Sequence, residues 1–323
     1  MAAEAGPKRP SSSAAGQSDT SRTLAGVPGP SPRVVEQDIV PAGPYRLPGP
    51  GRDGVMVLRD GTLTRVLWIG DEEVLVRAWA AGRAVRIRAE ADARPGDARG
   101  AAPREACGAA IERMRFALGT DHDLSEFHRR FRWDPLIGPV IRRKPWIRPR
   151  RRPEPFEALA WAVCEQLIES GRAAAIQRKI VRRHGRSSAC GTLRAPPSAD
   201  FLAGRSPAEL DACGLAPKRS IALVRVAREV ASGRADLAEH EPAWRRLRAI
   251  PNIGNWTLEM LAVAGQGRDD KLPALDVAYL KFVGLAAGLG RRATENEVRE
   301  FFAPYGEYAA LAGCYALQRS YFR

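Results

Sequence analysis

The sequence is short of the side chains that several structural and catalytic devices require. Its five cysteines, Cys107, Cys164, Cys190, Cys213 and Cys314, are scattered, odd in number and never paired as C-x-x-C. That pattern suggests neither a disulfide framework nor a zinc site. Only four histidines occur, His122, His128, His184 and His240, and they form no cluster of metal-ligand spacing. No run of about 18 apolar residues is available to span a bilayer, and the N-terminus has no apolar signal core. These absences lead to the expectation of a reduced, soluble, cytoplasmic protein with no membrane partner.

Acidic side chains are also in deficit. Against 51 Lys and Arg there are 37 Asp and Glu, a formal net charge of +14, and the sequence pI is about 10.2. A polyanionic partner is the natural complement. Ala, Gly, Pro and Arg are abundant throughout, so part of the charge reflects composition, and the motifs must identify the partner.

With 323 residues, the chain has room for two domains and a substantial core. Residues 1–36 are rich in Ala, Ser, Gly and Pro and nearly devoid of large apolar side chains. They cannot bury enough surface to offset the entropy of ordering, so a disordered tail is expected. From Tyr45 to Glu90 the texture becomes strand-like: Val55 to Leu58, Leu63 to Ile69, Val74 to Trp79 and Val85 to Ile87. The breaks at Asp60-Gly61, Gly70-Asp71 and Ala81-Gly82 are hairpin signals, so residues 37–105 form an antiparallel, β-rich domain ending in a linker over 91–105. Helices are expected at about 106–118 and 124–132. Residues 142–152, RRKPWIRPRRR, are basic at seven of eleven positions. They suit a solvated, proline-stiffened connection or a phosphate-binding arm. Pro155 opens a helix with Phe156, Leu159, Val163 and Leu167 on its apolar face, which places Leu167 in the core. Thr294 and Glu297 make a capping box for a later helix.

The most informative stretch is 247–276, LRAIPNIGNWTLEMLAVAGQGRDDKLPALD. Trp244, Leu247 and Ile250 recur every third residue after Pro242, while Arg245, Arg246 and Arg248 turn the other way, the mark of a short amphipathic helix. Pro251 stops it, and Asn252 and Gly254 supply residues tolerant of unusual backbone angles. A second helix carries Trp256, Met260 and Val263 on one face. The turn leaves successive N–H groups, from about Ile253 to Thr257, free at a helix N-terminus that favours an anion. Taken singly, a Pro-x-x-Gly turn is a common helix connection and Asp276, before Val277, Leu280 and Val283, is an ordinary helix cap.

Taken together, Pro251, Ile253, Gly254, Trp256, Thr257, Leu272, Pro273 and Asp276 resemble the helix-hairpin-helix DNA glycosylase superfamily. The closest resemblance is to its DNA-3-methyladenine glycosylase II type, whose catalytic aspartate follows a Leu-Pro or Phe-Pro pair. The resemblance covers roughly residues 106–323 and departs at Asn252, where the family has a glycine. It implies an α+β protein, a helical glycosylase core over 106–323 preceded by the small sheet. The implied partner is double-stranded DNA containing damaged bases, bound by a monomer, nucleoid-associated in the cytoplasm.

The resemblance also assigns roles. Asp276 becomes the catalytic carboxylate, which stabilises the oxocarbenium-like sugar and orients water once the base is flipped out. Gln166 and Leu167 match a pair whose leucine wedges into the DNA stack, and Glu165 stands where the family has Gly or Gln. Gly214, Lys218 and Arg219 match a basic helix start, with Lys218 and Arg219 either solvated or paired with phosphate. Asn252, Ile253, Gly254, Asn255 and Thr257 join Gln166, Leu167 and Lys218 as DNA-binding residues. Trp256, Met260 and Tyr315 line the base pocket, with Cys314 where well-known members place a tryptophan.

Trp256 occupies the position of the lysine nucleophile of bifunctional members, which implies a monofunctional enzyme acting on N-alkylated bases. No cofactor is required. The resemblance adds a monovalent cation, Na+ or K+, on the backbone carbonyls of Arg248, Ile250 and Ile253, and the lack of a cysteine cluster argues against the iron-sulfur branch. Two alternatives stay open, a non-catalytic helix-hairpin-helix DNA-binding protein and a glycosylase for another lesion.

Overall fold

The computed structural model describes residues 33–92 and 101–319. Five antiparallel strands, β1 (Arg33–Ile39), β2 (Val57–Arg59), β3 (Thr62–Ile69), β4 (Glu72–Ala81) and β5 (Ala84–Ala91), lie in the order β1-β5-β4-β3-β2. The turn between β2 and β3 is Asp60-Gly61, both residues at positive φ (47° and 74°), the geometry that matches strand twist in a two-residue hairpin.

Most of the expected tail, residues 1–32, lies outside the described residues. Its last part does not behave as a tail, because Arg33 already pairs with Ala91 and Glu36 with Arg88. Backbone pairing to β5 organises this edge strand, which composition could not reveal. The domain boundary shifts as well. Helix α1 (Ala101–Leu118) starts inside the expected linker, and its buried Cys107, Ala110, Ile111, Met114 and Leu118 pack on Val76, Ile87 and Ala89 of the sheet. The sheet needs that helix to cover its apolar face, so α1 belongs with the strands.

The remaining helices form two lobes. The first holds α4 (Pro155–Glu165), α5 (Ser170–His184), α6 (Ala199–Ala203), α7 (Pro207–Asp211), α8 (Pro217–Ala231), α9 (His240–Arg248) and α10 (Asn255–Gly265) around one apolar cluster. The second draws on two separated parts of the sequence. Helices α2 (Ser125–Phe131) and α3 (Gly138–Arg143) share a core with α11 (Val277–Ala286), α12 (Glu295–Phe302) and α13 (Ala309–Arg319). Thr294 caps α12 reciprocally with Glu297. Among the described residues, no helix is long and apolar enough to cross a membrane.

The basic 142–152 stretch is not simply solvated, nor is it a free arm. Arg148 donates to the carbonyls of His122 (3.1 Å) and Pro44 (3.1 Å), and the Arg151 side chain is buried over the Phe116 ring. Arg152 bonds Asp53 at 2.5 Å and Glu157 at 3.2 Å. Glu157 also pairs with Arg65 of β3 at 2.9 Å, and Trp161 Nε1 donates to Asp53 at 3.1 Å. Burial by itself pushes the Asp53 carboxyl up, but Arg152, the Val55 N–H and Arg65 hold it below the ordinary aspartate range. This network of buried charges ties the sheet to the first helix of the first lobe.

Candidate active site

The hairpin forms between α9 and α10. Trp244, Leu247 and Ile250 bury one face of α9, and Ile253 buries its side chain in the turn. Asn252 takes the left-handed conformation, φ 69°, which asparagine tolerates better than most residues. The departure from glycine at this position is therefore accommodated. Gly254 differs from its sequence reading: its φ of −104° is open to any residue. A Cβ there would meet no atom of the chain within 4 Å, so nothing within the protein requires glycine.

The free amide set is also smaller than expected. Ile253 N–H donates to the Ile250 carbonyl at 3.0 Å. Among the described residues, no acceptor pairs the N–H groups of Gly254, Asn255, Trp256 and Thr257, which open α10. These four groups form the positive end of a helix.

Leu167 departs furthest from the core position its spacing suggests. Helix α4 stops at Glu165, and Leu167 stands at φ 53° with its side chain 100% exposed. A left-handed leucine costs roughly 1–2 kcal/mol, and neighbouring contacts hold it in place. Gln166 Nε2 donates to the Asn252 carbonyl and to Thr257 Oγ1, both at 2.8 Å. Arg219 donates to the carbonyls of Gln166 (2.8 Å) and Cys164 (3.3 Å). Arg219 is thus half-buried with Nη1 bonded to the backbone, while Lys218 beside it is exposed. The expected DNA-binding set divides accordingly. Leu167, Asn252, Gly254, Asn255 and Lys218 face outward, whereas Ile253 and Thr257 are buried and Gln166 braces the hairpin from inside.

Asp276 caps α11, with Oδ1 accepting from Ala278 N–H at 2.8 Å. Its Oδ2 accepts from Trp256 Nε1 at 3.3 Å. Trp256 opens α10 in the first lobe and Asp276 opens α11 in the second, so this bond crosses between the lobes. Met260 is half-buried four residues beyond Trp256 on the same face of α10.

One expected pocket residue, Tyr315, is placed differently. Tyr315 is fully buried inside the second lobe, donating to the Ile147 carbonyl (3.1 Å) and paired with His128 Nε2 (3.0 Å). It packs on Phe127 of α2, a helix distant in sequence, and so is a core residue. Cys314 is half-buried, and burial pushes its thiol up to about 12. Its partner is Tyr279, whose hydroxyl bonds it and whose own acidity is suppressed by burial, then by Cys314 and Asp276. Tyr279 stands three residues after Asp276 and was missed by the sequence, where it reads as part of an apolar helix face. A cavity of about 290 Å³ beside the hairpin is walled by Trp244, Arg248, Asn255, Glu259, Lys271 and Arg299, and Asp276 is not among its walls.

No family model matches the chain. It is 25% identical over 202 residues to a DNA-3-methyladenine glycosylase of Bacillus subtilis, covering 60% of this chain and 67% of that protein. It is 30% identical over 154 residues to DNA-3-methyladenine glycosylase 1 of Schizosaccharomyces pombe, covering 45% and 63%. The match thus spans about two thirds or less of each relative's length. Among solved structures, a 3-methyladenine DNA glycosylase from Archaeoglobus fulgidus superposes with a TM-score of 0.70 over 83% of this chain and 89% of that one, at 21% identity, a likeness of fold. The chain is thus similar over part of its length to DNA-3-methyladenine glycosylases in sequence, and to a solved structure of such an enzyme in fold.

Proposed function

We propose that this protein is a monofunctional DNA glycosylase that removes N-alkylated bases of the 3-methyladenine kind from duplex DNA. The observation that carries the reading is the bond from Trp256 to Asp276, which ties a carboxylate of one lobe to the helix that opens with the unpaired amides of the other. The names of the sequence relatives support the same substrate class.

The chemistry follows from the parts. A backbone phosphate suits the N–H groups of Gly254, Asn255 and Trp256, and the absence of a Cβ at Gly254 leaves room for its close approach. Leu167 fills the gap left when the damaged nucleotide turns out of the stack. As the C1′–N bond breaks, positive charge grows on the sugar. Asp276 stabilises it and accepts a proton from the attacking water.

An indole cannot attack C1′, and Lys271 is paired with Asp270 at 3.4 Å, so the strand stays intact. Arg248 ends α9, where the helix dipole is negative, and its carbonyl with those of Ile250 and Ile253 suits a monovalent cation. The Ile250 carbonyl already accepts from Ile253 N–H, which leaves one lone pair for the ion.

The test is release of free 3-methyladenine from N-methylated duplex DNA. Release with the strand intact until hot alkali is the expected result. Strand cleavage without alkali would defeat the monofunctional assignment, and no release of any alkylated base would defeat the enzyme reading.

Two variants probe the parts. Leu167→Ala should lower release from duplex DNA about tenfold, as the unstacking cost of a few kcal/mol is no longer offset, and affect single-stranded substrate far less. Equal losses on both substrates would remove the wedge role. Trp256→Phe keeps the ring and deletes the donor. It should reduce kcat about tenfold or more, the scale of one hydrogen bond to a charged group. A kcat unchanged from wild type would show that the bond does not position Asp276.

A further inference from the structure

At the end of α4 away from the hairpin, a cavity of about 790 Å³ lies between the sheet and the first lobe. Its walls include Arg65 and Trp68 of β3, Phe156 at the start of α4, His184 at the end of α5 and Phe201 of α6. The cavity shares no wall residue with the site between the lobes. Most of the length of α4, eleven residues at about 1.5 Å each, separates Phe156 from the Gln166 that braces the hairpin.

Three of the wall residues carry a buried polar atom without a hydrogen-bond partner among the described residues: Arg65 Nε, Trp68 Nε1 and His184 Nε2. Arg65 and His184 are only 3% and 7% exposed. Arg65 meets Glu157 through Nη2, which leaves its Nε over. Unpaired buried polar groups are unfavourable, and folded proteins keep few of them. Here three stand on residues of one cavity.

We propose that this cavity binds a planar, uncharged heteroaromatic molecule with hydrogen-bond acceptors along its edge. Arg65 Nε and Trp68 Nε1 can only donate, and His184 Nε2 can do either, so the complement is a set of acceptors. The rings of Trp68, Phe156, His184 and Phe201 supply flat apolar faces. Two of them already stack a planar group of the chain: the Arg186 guanidinium lies 3.3 Å from the Trp68 ring centre, and that of Arg205 lies 4.4 Å from Phe201. A heteroaromatic ring uses such faces in the same way. Charge argues against a free anion, because Arg65 is matched by Glu157 at 2.9 Å and Arg186 by Asp71 at 4.0 Å, while Glu154 and Asp200 add further carboxylates to the walls. The volume lies within the range of about 300–1,000 Å³ usual for small-molecule sites. The proposal does not depend on the glycosylase reading.

Caffeine is the probe, being flat and uncharged, with several acceptors and no N–H or O–H donor. Calorimetric titration of the full chain without DNA should show saturable one-to-one binding, and benzoate, flat but anionic, should bind at least about tenfold more weakly. Trp68→Phe keeps a ring and deletes the indole donor, and His184→Leu deletes the unpaired nitrogen at a buried position. Each should weaken caffeine about fivefold to tenfold, the scale of one hydrogen bond. Two variants on different walls keep the result independent of how either one folds. Trp256→Ala, in the site between the lobes, should bind caffeine as the wild type does. No saturable binding by the wild type, benzoate bound as tightly as caffeine, or binding that ignores Trp68 and His184 but weakens in Trp256→Ala would overturn the proposal.

Discussion

Asp276→Asn is expected to reduce release of 3-methyladenine by about 10³-fold or more, at or beyond the upper end of effects seen when one preorganised electrostatic group is removed, and to leave duplex binding essentially unchanged. Asparagine is an equally good helix cap, and its side-chain oxygen can still accept from the Ala278 N–H, so α11 should keep its start. What disappears is the negative charge that opposes the oxocarbenium-like sugar. Release assays and salt-dependent binding, run in parallel, separate the two functions. A hairpin protein that only binds phosphates would show identical binding for both chains and release from neither, and a variant as active as the wild type would move the chemistry away from Asp276. Binding itself should weaken with salt, because phosphate contacts release counterions.

The second large effect concerns stability. Glu157→Ala removes the carboxylate shared by Arg65 and Arg152, at a site where the Arg65 and Glu157 side chains are only 4% and 2% exposed. Breaking a buried ion pair from one side costs about 3–5 kcal/mol, because the surviving charge stays desolvated. At about 2.1 cal/mol/K of unfolding entropy per residue, that is a loss of roughly 4–8 °C in melting temperature for a chain of this size. Thermal unfolding of the variant, and of Arg65→Met with Glu157→Leu together, checks the cause. The double variant should recover much of the loss, because no unpaired charge is buried. A single variant as stable as the wild type would mean that water reaches these groups.

Two features could be argued from the residues alone. The hairpin and Asp276 were legible because their signals are local: a proline stop, tolerant residues in the turn, an apolar stripe of period 3.6, and an acid directly before a helix. The strands and their turns were legible for the same reason, since Asp60-Gly61 between apolar runs demands one backbone geometry.

Placement in space was not legible. Leu167 continues the apolar spacing of α4, and only the end of that helix at Glu165, fixed by Gln166 on the hairpin and Arg219 on two carbonyls, turns it outward to full exposure. Tyr315 looked like a pocket wall but is buried against Phe127, which lies far away along the chain. The arginines of 142–152 read as solvated because the carboxylates that receive them, Asp53 and Glu157, lie on other elements. Periodicity and turn chemistry act between near neighbours, so the sequence by itself determined the elements, the hairpin and the aspartate that caps α11. Which faces meet is decided by contacts between residues tens to hundreds of positions apart. The tertiary structure alone therefore determined that Trp256 reaches Asp276 and that Leu167 stands free.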